Sequence, residues 1–155
     1  HHALTHDDFA VISKHPYFSA EIFRGIKGCE DIRPWAALHH ERLDGTGYPY
    51  RKVAADIPQG ARIIAVADTF TALMEDRPYR YGVSAVDTAR IMQNMAAYQK
   101  LDEDLVTLIC DKLEDINARR YEAQSAADQT HRQFLEECRL LGNSMITDDR
   151  CPVRK

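Results

Sequence analysis

Two adjacent histidines and a glutamate, His39-His40-Glu41, stand directly before the turn-forming run Asp44-Gly45-Thr46-Gly47-Tyr48-Pro49. His15 lies one predicted helix earlier, between Lys14 and Pro16, and Asp68 lies within the apolar run Ile63 to Phe70. Neutral imidazole nitrogens joined by a carboxylate are borderline-hard donors suited to Fe, Mn, Zn or Ni. An unpaired carboxylate buried among Ile64, Val66 and Phe70 costs several kcal/mol unless it finds a cation. On a helix, His39 and His40 point about 100° apart, an arrangement that touches two neighbouring metals rather than chelating one. Each residue also has a plainer reading: a histidine satisfied in the core or at the surface, an aspartate paired with an arginine. Spacing by itself leaves these alternatives open.

The elements that must hold these side chains read as helices. Residues 5–27 read as one helix, started by a capping-box-like Thr5 and Asp8, with Pro16 kinking or dividing it. Residues 31–43 form a second, with Asp31 as N-cap and Ile32, Trp35, Ala36 and Leu38 as its apolar residues. A polar loop over 50–60 leads to a strongly apolar helix from Arg62 to Glu75, which Arg77-Pro78-Tyr79-Arg80 stops. Helices over about 84–97 and from 102 to about Leu141 complete the set, and no segment alternates with the period of a strand. The stretch from Asn117 to Gln133 is polar and weakly periodic, so it needs a partner to be stable as a helix. The fold class expected is all-α, with five to seven helices and 44–60 as the longest irregular connection.

Composition narrows the function classes. The 155 residues suit one domain, 45% hydrophobic and 28% charged, and the 7 Gly and 6 Pro are too few for a turn-rich barrel. A net charge of -4 gives no general attraction to DNA or to anionic membranes, so an anionic ligand needs a local basic cluster. No run of about 18 apolar residues marks a membrane span. Cys29, Cys110, Cys138 and Cys151 are widely spaced with no C-x-x-C pair, a pattern expected of reduced thiols in the cytoplasm.

The run His39 to Pro49 matches, at every defined position, the signature HHE-x-x-DG-x-GYP, and in this it resembles the HD-GYP family. Ala61 to Asp68 followed by Asp76-Arg77-Pro78-Tyr79-Arg80 is similar to a second family segment, and Lys14-His15-Pro16 to the family's earlier metal-histidine helix. The resemblance spans roughly residues 4–112, leaving 113–155 as a C-terminal helical extension and tail. It implies an HD-superfamily-like helical bundle and a metal-dependent phosphodiesterase acting on cyclic di-GMP in bacterial signalling. It also implies His15, His39, His40 and Asp68 as ligands of a centre of two or three divalent metals, Fe, Mn or similar, clamping the scissile phosphate. Arg77 and Arg80 match positions that contact the nucleotide's phosphates, a task suited to bidentate guanidinium groups, or they form surface ion pairs. Gly45 and Gly47 permit the turn, and Tyr48 lines the substrate groove or packs. Glu41 either orients His39 or His40 as a hydrogen-bond acceptor or faces solvent.

Two departures qualify the resemblance. The family's H-D-x-G-K segment has no counterpart here; the dipeptide His6-Asp7 is followed by Phe9, Ala10 and Val11 and falls in the first turn of a capped helix. Thr71 stands where the family's apolar helix carries a second aspartate. The chain is therefore expected to be a truncated form, holding at most one weakly bound metal and hydrolysing cyclic di-GMP slowly or not at all. The alternative is a degenerate module that binds a nucleotide or a signalling protein. A homodimer or domain swap, involving residues 101–141 or replacing absent helices, is a further expectation.

Overall fold

The computed structural model describes residues 5–76 and 81–146. Seven α-helices follow one another: α1 (His6–Ile12), α2 (His15–Phe23), α3 (Ile32–Leu38), α4 (Gln59–Met74), α5 (Ala85–Ala97), α6 (Glu103–Asp111) and α7 (Leu113–Ile146), with a 3₁₀ turn at Ala54–Asp56. Among the described residues there is no strand, only one isolated antiparallel bridge between Asp44 and Val53. The all-α expectation holds, and the longest described connection, residues 39–58, covers the predicted irregular segment 44–60 except for its last two residues, which begin α4.

The division left open at Pro16 is found, and several helix limits differ from the sequence reading. The 5–27 segment is divided: Thr5 and Asp8 cap α1 reciprocally, and a turn at Ser13-Lys14 precedes α2, where Pro16 occupies the first turn. There a missing N–H costs nothing. The 102–141 segment is also broken, at Lys112 (φ -120°, ψ 28°). Asp102 caps α6 through Leu105 N–H, while Glu114 and Asp115 in the first turn of α7 favour a fresh helix N-terminus. Gly142 does not end α7, since one glycine costs only about 1 kcal/mol in a helix.

Residues 1–113 form one compact unit and 114–155 another. Within the first, α4 is central and packs on α3, α5 and α6, while α2 packs on α3 and α5 on α6. Ala61, Ala65, Val66 and Phe70 of α4 meet Met92 and Ala96 of α5, Val106 and Ile109 of α6, and Leu101 between them in one buried core. Gly60 lets α3 approach: a Cβ there would lie 2.2 Å from Trp35 Cε2.

Arg62 ties the long connection to this core. Its guanidinium donates to Ile57 O (3.0 Å) and Ala54 O (2.6 Å), and to Asp102 Oδ2 (3.1 Å), the same aspartate that caps α6. One side chain thus fixes the loop, α4 and α6 together, in a half-buried place where charge-assisted hydrogen bonds are strong.

Candidate metal centre

The histidine pair does not ride on a helix. α3 ends at Leu38, His39 is its C-cap, and Glu41 N–H turns back to Leu38 O (2.9 Å). This corrects the extension of the second helix to residue 43, and with it the 100° divergence expected of His39 and His40. Their rings lie 4.1 Å apart by centroid and converge on His15, at the start of α2.

The reason lies in Glu41, which is 2% exposed. Its Oε1 accepts from Tyr50 N–H (2.7 Å) and its Oε2 from Lys52 N–H (2.9 Å). Both oxygens are spent on folding the 44–53 loop back over the histidines, so Glu41 neither orients an imidazole nor faces solvent. Asp44 closes the same loop by accepting from Thr46 N–H and Oγ1–H (2.9 and 2.7 Å), bonds that hold its carboxyl below the usual range. Gly45 takes φ +79°, and Gly47 lies so close that a Cβ would be 2.3 Å from Arg42 N. Tyr48 N–H donates to His40 O (3.2 Å), and the Tyr48–Pro49 peptide is cis.

His15 Nδ1 and His39 Nδ1 each lie 2.8 Å from a backbone carbonyl oxygen, of Ile12 and Ala36 respectively. A carbonyl only accepts, so these Nδ1 atoms carry the protons and leave Nε2 bare. Yet His15 Nε2 is 3.3 Å from His39 Nε2 and 3.0 Å from His40 Nε2. The bare Nε2 lone pairs of His15 and His39 cannot hydrogen-bond each other; a cation between them resolves that contact. With metal–nitrogen bonds of about 2.0–2.1 Å, neighbouring donors on one metal stand roughly 3.0–3.4 Å apart, so the donor set fits one divalent metal. The backbone bonds at Nδ1 are the orienting partners that ligating histidines need.

His39 and His40 are partly buried, while His15 is exposed. The His40 ring stacks on Tyr48 (4.8 Å, 24°), which in turn meets Phe9 edge-on. Burial, then the neighbouring His39, His15 and Arg42, push its pKa from 6.5 down to about 3, so the ring is neutral near pH 7. The unfolded chain takes this proton at about 6.5 and the folded one does not. Folding stability should therefore fall as pH drops below 6.5 toward 3, and be fully present above 6.5. Urea unfolding at about pH 7.5 and 5.0 is expected to show a lower midpoint at the acid value, and a smaller difference in His40→Gln. Equal sensitivity in both proteins would show that other groups govern the acid limb.

Asp68 comes close without joining the nitrogens. Its Oδ2 is 3.9 Å from His40 Nδ1, the ring edge opposite the converging Nε2, and its side chain is 47% exposed. The expected burial is thus corrected: Asp68 follows Ala61 and Ala65 on one helical stripe, but the stripe runs out from under the core into an open pocket. That pocket, about 740 Å³, is lined by His15, His40, Tyr48 and Asp68, and also by Arg42, Thr69 and Lys100. Sequence reasoning missed these last three. Arg42 fills an undefined position inside the signature, and Lys100 lies 60 residues from the histidines, with no local signal. Burial lowers the Arg42 pKa and raises that of Tyr48. Arg77 and Arg80 lie outside the described residues.

The family profile of the HD domain matches residues 1–105. The chain belongs to the HD-domain family. Three curated relatives illustrate the kinship with HD-GYP proteins. A 3'3'-cGAMP-specific phosphodiesterase 1 of Vibrio cholerae is 36% identical over 68% of this chain and 25% of its own length. The cyclic di-GMP phosphodiesterase response regulator RpfG of Xanthomonas campestris is 44% identical over 50% of this chain and 21% of its own. A cyclic di-GMP phosphodiesterase of Thermotoga maritima is 30% identical over 83% of this chain and 35% of its own. The HD-domain chain thus matches about a fifth to a third of these relatives' lengths. Among its described residues no helix is long and apolar enough to cross a membrane, and Cys29, Cys110 and Cys138 are free.

Proposed function

We propose that this HD domain carries the metal-holding part of a phosphodiesterase site that cleaves a cyclic dinucleotide, cyclic di-GMP before others, in the cytoplasm of a bacterium. The observation that supports it best is the convergence of His15, His39 and His40, with His15 Nε2 3.3 Å from His39 Nε2 and 3.0 Å from His40 Nε2, beside an open pocket. A bound divalent metal supplies Lewis acidity toward a phosphoryl oxygen and lowers the pKa of water. The chain's own residues do the rest. Carbonyls of Ile12 and Ala36 fix two ring orientations, and Tyr48 holds the His40 plane. Asp68 faces the Nδ1 edge of His40, where it can keep the proton on that nitrogen and leave Nε2 for the metal.

Three imidazoles hold one metal, and a second would need donors beyond this trio. Thr71 brings a hydroxyl where a further carboxylate would help. A single preorganised electrostatic contributor is worth about a hundred- to a thousandfold in rate. The metal-loaded chain is therefore expected to bind one Mn²⁺ and to cleave cyclic di-GMP slower than about once per minute, if turnover is seen at all. Incubation of the chain with Mn²⁺ or Fe²⁺ and cyclic di-GMP, 3'3'-cGAMP or a linear dinucleotide, with products separated by chromatography, tests this. Rapid turnover abolished by His40→Ala would overturn the expectation of a slow site and leave the reaction class standing. Failure of the metal-loaded chain to bind or cleave any cyclic dinucleotide would remove the substrate assignment. Metal-dependent binding without cleavage is the outcome of the second reading, a non-catalytic nucleotide-binding module, which the three-donor set favours.

A further inference from the structure

The pocket beside the histidines holds two cations that the sequence signature does not account for. Arg42 is half-buried, and among the described residues its guanidinium makes no hydrogen bond and no ion pair within 4 Å. Asp68 and Asp44 act on it only from beyond ion-pair distance, so its donors stay unused, and their planar fork matches the oxygens of a phosphate. Lys100 lines the same pocket from the joint between α5 and α6; among the described residues its ammonium makes no hydrogen bond and no ion pair within 4 Å, and Asp44 is a nearby opposite charge.

The backbone around Lys100 is fixed in an unusual form. Gln99 takes φ 55°, a left-handed conformation uncommon outside glycine. Its N–H bonds Ala96 O (2.8 Å), and Lys100 N–H bonds Met95 O (2.9 Å). On the other side Leu101 is 2% exposed and Asp102 caps α6 while pairing with Arg62. Lys100 is thus an exposed lysine held between two anchored residues at the edge of the histidine pocket. Among the described residues Asp68 is the one carboxylate lining that pocket, and Asp44 stands near both cations from outside it. In a chain of net charge -4 the pair is a local cluster of basic groups.

We infer that Arg42 and Lys100 form a phosphate clamp beside the histidine trio, Arg42 as a bidentate donor and Lys100 as a point charge. As a site for a phosphodiester substrate it rests on the function proposed above; as an anion site it does not. Two probes separate the cases: cyclic di-GMP with Mn²⁺, and pyrophosphate with the metal-free chain, each titrated calorimetrically against the full chain, Lys100→Ala, Lys100→Arg and Arg42→Gln. Lys100→Ala is expected to weaken both probes roughly tenfold or more, with Mn²⁺ affinity and circular dichroism unchanged, and Lys100→Arg to recover most of the loss. Arg42→Gln is expected to do the same or worse. Pyrophosphate bound through Lys100 without any dinucleotide binding would end the substrate reading and keep the clamp. Lys100→Ala binding both probes as the parent does, or a parent chain that binds neither, would overturn the clamp whatever the metal does.

Discussion

Gly47→Ala is expected to collapse the loop that builds the histidine pocket. A Cβ at residue 47 would lie 2.3 Å from Arg42 N, 2.4 Å from Glu41 Cα and 2.5 Å from Glu41 C. All three are backbone atoms, so no side-chain rotation relieves the overlap. The segment that must yield carries His40 and the Glu41 carboxylate, which holds Tyr50 N–H and Lys52 N–H. The expected cost is about 3 kcal/mol or more, in the range that marks a specific structural fault rather than an average substitution. Gly45→Ala is the comparison. Its Cβ would meet Val53 Cγ1 at 3.1 Å and Arg51 O at an ordinary 3.8 Å, and its φ of +79° costs an alanine about 1–2 kcal/mol. Urea unfolding and Mn²⁺ titration of both variants should show Gly47→Ala far the weaker in each. An unfolding midpoint and metal affinity for Gly47→Ala equal to the parent's would contradict the loop geometry described above.

His39→Ala is expected to lower metal affinity by roughly a hundredfold or more, while the metal-free chain unfolds much as before. The ring contributes one of three converging nitrogens, and its only other bond is the short-range one to Ala36 O. Because a ligand that binds only the folded state stabilises it by mass action, Mn²⁺ should raise the parent's melting temperature but not the variant's. His131→Ala is the control, an exposed histidine on α7 that should leave the metal-induced shift intact. Asp68→Asn separates two roles for the carboxylate. If it orients His40 through Nδ1, affinity should fall within about ten- to a hundredfold, because an asparagine still offers an acceptor oxygen. A loss as large as that of His39→Ala would mean instead that Asp68 binds the metal directly. A melting shift in His39→Ala as large as the parent's would exclude the trio as the metal site.

What the sequence by itself determined was whatever depends on local pattern. Helical periodicity and the scarcity of Gly and Pro gave an all-α chain. Thr5 with Asp8 marked the start of α1, Pro78 the region where α4 must stop, and the run His39 to Pro49 the site and the family. The tertiary structure decided what depends on contacts between distant residues. Whether His39 and His40 diverge or converge turned on where α3 ends, and that is set by Glu41 reaching the amides of Tyr50 and Lys52. The exposure of Asp68 followed from what covers its helical stripe, which periodicity cannot report. Lys100 has no motif around it, and only the packing of α4, α5 and α6 brings it to the histidines. Local propensity is written in neighbouring residues, whereas burial and convergence are properties of the packed chain, fixed by shape and paired polar groups that no single segment contains.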